Sequence, residues 1–226
     1  AADRLGTLAP KSPHLLHMPS HTYALVGRYA DATRVNQLAV AADEALAVEL
    51  KKQNFSVSKD WRGHNTHFQW YAALMEGRGE LALATARAAA GRAMGDSEFG
   101  EYTRSLPMLT LLHLQRWEAL IKEPAPTGGK GIAAVLADMS HGIALARSGK
   151  LAEARAALAR MEPTVKKLAA KHRGTDGISR ILRSVFNTAP AQLGAEIALA
   201  EQRTDEALAL QTKAVDGYAT SLPFTT

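Results

Sequence analysis

The chain has 226 residues and a formal net charge of +5, and 46% of its residues are hydrophobic whereas only 6% are aromatic. Ala and Leu dominate and no segment alternates like a strand, so the composition predicts an all-α protein. The lack of Cys excludes disulfides and thiolate metal ligands. No apolar run reaches the roughly 18 residues of a membrane span. The basic residues are not accompanied by aromatic side chains for base stacking or by a known nucleic-acid-binding motif, so no nucleic-acid partner is expected.

The first half of the chain predicts a series of helical hairpins. Residues 1–12 are expected to be the end of a truncated upstream hairpin, because Pro10 ends a helix whose partner is missing. Residues 13–123 predict hairpins 1–3, the third with only a short second helix. The predicted helices run from about 19 to 26, 30 to 52, 64 to 76, 80 to 94 and 102 to 114.

The second half predicts a linker followed by two more hairpins. The Pro- and Gly-rich segment 124–131 is the predicted linker, and residues 132–226 predict hairpins 4 and 5. Pro190 is expected to open the final pair, because Pro suits the first turn of a helix. The predicted helices run from about 131 to 147, 151 to 172, 176 to 187, 190 to 202 and 204 to 219. Together the hairpins predict one continuous α-solenoid.

Four predicted turns share a sequence pattern. They are GRYADA at 27–32, GRGELA at 77–82, GKLAEA at 149–154 and QRTDEA at 202–207. Gly, or Gln in the last copy, ends the first helix, and the small Ala lets two helices approach closely. The pattern resembles the tetratricopeptide repeat over nearly the whole chain. Ala32 and Ala82 are 50 positions apart, more than the usual period of about 34, so longer helices and linkers are expected.

The tetratricopeptide resemblance implies a right-handed superhelical array of antiparallel helical hairpins, with a concave groove that binds a peptide or protein partner. The segments HMPSH at 17–21 and HNTHF at 64–68 are also similar to those of a poorly characterised bacterial tetratricopeptide-like family. The missing upstream part of the same chain is a further candidate partner. The sequence does not distinguish a cytoplasmic from a periplasmic location. No P-loop, nucleophile elbow or dinucleotide motif is present, so we expect a non-catalytic scaffold.

Histidine is concentrated near the starts of the first two complete hairpins. The resemblance places six side chains at first-helix positions that line the concave groove of tetratricopeptide proteins. They are His14, His17, His21, His64, His67 and Tyr71. We therefore expect these side chains to face one another from two neighbouring first helices and to form a ligand-binding surface.

Converging neutral imidazoles are common ligands for Zn, Cu or Ni, and no other cofactor is expected. The candidate metal ligands are His17, His21, His64 and His67. His17 and His21 have the spacing of a chelating pair on a helix, but Pro19 argues against this pair because it is expected to leave His17 outside the helical turn. The pair does not form an HExxH motif, so a hydrolytic metal is not expected.

Two further interpretations of the histidines stay open. Helix N-termini present free N–H groups and a positive dipole end, so protonated histidines there would form an anion or carboxylate pocket. Alternatively, the histidines are hydrogen-bonded residues at a helix-packing edge and bind no ligand. The preferred function from sequence is a peptide-binding scaffold, with a histidine metal site as the alternative.

Overall fold

The computed structural model describes residues 2–55, 59–93, 97–127 and 131–219, and among these it describes only the backbone of 59–62 and 178. The described residues form helices and no strand, which confirms the predicted all-α class. None of these helices is long and apolar enough to cross a bilayer. The chain divides into two compact units, Ala1–Met94 and Gly95–Thr226. Residues 128–130 of the predicted linker and 220–226 of the last predicted hairpin lie outside the described residues.

The first unit is organised around one long helix, α4. Its helices are α1 (Ala2–Leu8), α2 (Pro13–His17), α3 (Pro19–Leu25), α4 (Tyr29–Lys52), α5 (Lys59–Met75) and α6 (Gly79–Arg92). α4 packs against α2, α3 and α5, while α5 also packs against α2 and α6. Ala32, Ala39 and Ala72 are almost completely buried, and their small side chains allow the helices to approach closely. This packing brings the histidine-rich segments of α2, α3 and α5 next to α4.

α2 lies before Pro19, near which the first helix was predicted to start, and it contains His14 and His17, which the tetratricopeptide resemblance placed on a first helix. Pro13 suits its first turn, and Met18 keeps a right-handed helical backbone between α2 and α3, with φ −50° and ψ −37°. Pro19 begins α3 at a position where its missing N–H costs no helical hydrogen bond. The backbone is therefore helical through the junction. The expectation that Pro19 leaves His17 outside the helical turn is wrong, and His17 and His21 stay one turn apart.

The second unit surrounds helix α9. Its helices are α7 (Glu98–His113), α8 (Trp117–Lys122), α9 (Ile132–Arg147), α10 (Leu151–Lys171), α11 (Gly177–Ala200) and α12 (Thr204–Ala219). α9 packs against α7, α8, α10 and α11, and α11 packs against α12. The core contains Val135, Met161, Phe186 and Leu193. Gly142 faces Leu193 so closely that a Cβ there would lie 2.6 Å from a Leu193 methyl carbon.

The two helices predicted on either side of Pro190 are wrong, because α11 runs unbroken through that residue. Phe186, Ala189, Leu193 and Ile197 lie on one face of α11 and are all buried. Pro inside a helix costs about 3 kcal/mol. Burial of a large apolar side chain contributes about 1.5–3 kcal/mol, so the shared face on both sides of the proline outweighs the local cost.

Five hairpin turns share one geometry in the part of the chain that the structure describes, and the end of α4 at Asn54 has it too. The left-handed residues of the hairpin turns are Gly27, Gly77, Gln115, Gly149 and Gln202, with φ between 54° and 83°. The next N–H donates to a carbonyl five residues earlier, as from Lys150 to Leu145 at 2.9 Å. This is the Schellman end of a helix. The turn at Gln115 is missing from the sequence alignment because its segment, QRWEAL at 115–120, has neither the Gly nor the final Ala.

Candidate metal centre

Three histidines converge where α2, α3 and α5 meet. His17 is the last residue of α2, His21 lies in the first turn of α3, and His64 lies in α5. His17 is completely buried, whereas His21 and His64 are partly exposed. The group thus combines a buried imidazole with two imidazoles closer to solvent.

The nitrogen atoms of these three rings lie within reach of a single ion. Nε2 of His17 is 2.9 Å from Nε2 of His21 and 2.9 Å from Nε2 of His64. One nitrogen from each of the three rings can be chosen so that all lie within 4.8 Å of one another. Among the described residues, these three histidines are the His, Asp or Glu side chains that lie close enough together to bind one metal ion. We call His17, His21 and His64 the three-histidine group.

The other nitrogen of His17 points to α4. Nδ1 lies 2.8 Å from Oδ1 of Asn36 and 3.3 Å from Oγ of Ser20. Asn36 and Ser20 are both almost completely buried. Nδ2 of Asn36 donates in turn to the carbonyl oxygen of Ala32 at 2.9 Å. The imidazole of His17 is therefore held from behind by polar groups while its Nε2 faces the other two histidines.

Phe68 forms an apolar wall next to the three-histidine group. Its ring centroid lies 4.8 Å from that of His17, 4.5 Å from that of His21 and 4.8 Å from that of His64. His64 and Phe68 are four residues apart, so both side chains project from one face of α5. The Phe68 ring therefore covers one side of the three-histidine group.

Burial keeps the clustered histidines neutral at neutral pH. It lowers the pKa of His17 to about 4, against the opposing effect of the Asn36 hydrogen bond and with smaller contributions from the neighbouring histidines. Burial is also the main cause of the lowered pKa values of His21 and His64. An anion pocket requires cationic imidazoles, so the lowered pKa values oppose that interpretation. Neutral imidazole is the form that binds a metal ion.

Of the remaining predicted site residues, His14 lies beside the three-histidine group, and His67 and Tyr71 lie on α5. The ring centroid of His14 is 5.8 Å from that of His17 and 6.1 Å from that of His64. His67 packs against Trp70, with 5.3 Å between ring centroids, and burial lowers its pKa to about 4. Tyr71 is 38% exposed on α5. Of the four predicted metal ligands, the structure brings together His17, His21 and His64, and His67 is not a member of the group.

Sequence reasoning missed Asn36 and Phe68, although each carried a signal. Asn36 interrupts the apolar face of α4 formed by Ala32, Val35 and Ala39, and a polar residue in such a face requires a buried partner. Phe68 lies one helical turn after His64. Neither signal identifies His17 and His21 as the contacts, because these histidines lie on helices other than those of Asn36 and Phe68.

Comparison of the chain with known protein families, with curated proteins and with solved structures gives no match. The candidate function therefore depends on the site's own geometry.

Proposed function

We propose that the first unit binds a divalent transition-metal ion, Zn, Cu or Ni, through Nε2 of His17, His21 and His64. The observation that carries this proposal is the approach of two histidine nitrogens to Nε2 of His17, each at 2.9 Å. A ring nitrogen of neutral imidazole is either one donor or one acceptor. Nε2 of His17 can therefore make one linear hydrogen bond, so its contacts with His21 and His64 compete. A metal ion that accepts one lone pair from each of the three rings removes this competition.

Two of the three spacings between the nitrogens are close to what a bound ion requires. Zn–N bonds of about 2.0–2.1 Å at tetrahedral angles place the nitrogen atoms about 3.3 Å apart. The 2.9 Å contacts therefore need to open by only a few tenths of an ångström on metal binding. Rotation of the partly exposed His21 and His64 rings provides that movement, while His17 stays fixed by Asn36.

The ligand set supports a borderline transition metal rather than a hard cation. Imidazole nitrogen suits Zn, Cu and Ni, whereas Mg and Ca prefer oxygen. Three protein nitrogens leave at least one position of a four-coordinate ion for water or another ligand. His14, whose ring adjoins those of His17 and His64, is a candidate for that position.

The test is metal binding by protein purified without a His tag. We expect one equivalent of Zn to stay bound through dialysis. At a free Zn concentration one hundred times the Kd, we expect about 2.7 kcal/mol of added stability, seen as a rise in the melting temperature. MgCl2 at the same concentration serves as the control and should produce no shift. A melting temperature that Zn, Cu and Ni all leave unchanged would sink the proposal.

A second candidate function concerns the hairpins themselves, and the shared Schellman geometry of five turns favours it. In this proposal the hairpins are tetratricopeptide-like repeats in a right-handed superhelical array, and their concave groove binds a peptide or protein. The exposed ring of Tyr71 offers an aromatic anchor for such a partner. Peptides selected against the protein from a displayed library should bind a Tyr71→Ala variant at least about tenfold more weakly. Unchanged affinity would mean that the partner binds elsewhere.

A further inference from the structure

Asn36 connects the three-histidine group to the backbone of α4. Its side chain is completely buried, and its Nδ2 donates to the carbonyl oxygen of Ala32 at 2.9 Å. A carbonyl oxygen only accepts hydrogen bonds, so the amide atom that faces Ala32 is the donor Nδ2 and not Oδ1. The amide oxygen Oδ1 is therefore the atom that faces His17, at 2.8 Å from Nδ1.

The orientation of the Asn36 amide decides where His17 carries its hydrogen. Because Oδ1 only accepts, the hydrogen between the two side chains belongs to Nδ1 of His17. Neutral imidazole has one N–H, so Nε2 of His17 then carries a lone pair. This is the nitrogen that faces His21 and His64.

We propose that Asn36 is a positioning residue for the metal site: it holds His17 in the Nδ1–H tautomer and so makes Nε2 the metal ligand. This inference rests on the proposed metal function. It identifies Asn36 as the residue that orients His17 for metal binding in the metal-free protein. Partners behind a ligating histidine orient the ring and raise its basicity, and their loss costs about 10–100-fold in metal affinity. Ser20, at 3.3 Å from the same nitrogen, makes the weaker of the two contacts.

The tautomer is tested in the metal-free protein by NMR of 15N-labelled histidine, since protonated and unprotonated ring nitrogens differ strongly in chemical shift. The wild type should show His17 protonated at Nδ1. Asn36→Leu should lose this fixed tautomer because it removes the acceptor. Asn36→Asp should keep it, because a carboxylate oxygen accepts the same hydrogen bond. Thr33→Val, which changes another buried polar residue of α4, should keep it as the matched control.

Zn affinity of the same four proteins then measures the consequence. We expect Asn36→Leu to bind Zn about 10–100-fold more weakly than the wild type. Asn36→Asp and Thr33→Val should both stay within about threefold of the wild type or bind more tightly. Helical circular dichroism identifies a variant that fails to fold. The wild-type NMR spectrum then decides the question, because a His17 protonated at Nε2 would overturn the proposal.

The possible outcomes separate this inference from the proposed function. A wild-type protein that binds no Zn, Cu or Ni overturns the metal site, and the NMR experiment still reports whether Asn36 sets the tautomer. If Zn binds to the wild type and Asn36→Leu keeps both its tautomer and its affinity, the positioning role is wrong. Loss of affinity in both Asn36 variants with an unchanged tautomer would also overturn it.

Discussion

His17→Gln should weaken Zn binding by more than about 100-fold, because loss of a direct ligand exceeds the 10–100-fold effect of losing a supporting group. The substitution removes the nitrogen that lies 2.9 Å from both partner nitrogens. It keeps a polar side chain of similar length beside Asn36, so the helical content should change little. Competition with a chromogenic chelator measures the affinity.

Two matched variants control this experiment. His67→Gln changes a neighbouring histidine on α5 that is not a member of the three-histidine group, and His113→Gln changes an exposed histidine in the second unit. Both should retain the affinity of the wild type. Equal affinity of His17→Gln and His113→Gln would show that the metal binds elsewhere.

The metal-free protein should lose stability between pH 7 and pH 5. The pKa values of His17 and His67 are about 4 in the folded protein, against 6.5 for an unperturbed histidine. In this window the unfolded chain binds protons that the folded chain does not. The free energy of unfolding is therefore highest above pH 6.5 and decreases as the pH falls. Linkage gives a loss of up to about 2 kcal/mol per histidine by pH 5.

Urea unfolding at several pH values measures this effect. The window above pH 5 keeps most carboxylates ionised in both states, so their titration contributes little to the slope. His67→Gln removes one of the two histidines whose pKa is lowered to about 4. It should reduce the pH dependence by less than half, because the lowered pKa values of His21 and His64 also contribute. Equal stability of the wild type at pH 7 and pH 5 would contradict the burial of these neutral imidazoles.

The hairpins were predictable because the turns are local. A left-handed residue, its capping hydrogen bonds and the following small residue all lie within one short segment. The pattern therefore identified four turns from sequence. The fifth turn, at Gln115, follows the helix predicted to end near Leu114, but it is absent from the aligned pattern because its segment has neither the Gly nor the final Ala. Pro190 misled the prediction for the opposite reason, since long-range packing of α11 overrode a strong local signal.

The candidate site was predictable in its members but not in its arrangement. The sequence singled out His17, His21 and His64 through their spacing and the repeat. It also placed His67 among the metal ligands, whereas the structure packs that ring against Trp70. Whether two histidines on one helix meet the same ion depends on the rotation of that helix against its neighbours, which the repeat pattern does not fix closely enough.

The central claim is that one metal ion is bound by three histidines from α2, α3 and α5. X-ray absorption spectroscopy of the Zn-loaded, tag-free protein tests it most directly. The expected spectrum shows three imidazole ligands with Zn–N distances of about 2.0–2.1 Å, and the His17→Gln protein should not give it. A first shell made of oxygen atoms alone, or an identical three-imidazole spectrum from His17→Gln, would contradict the proposed site.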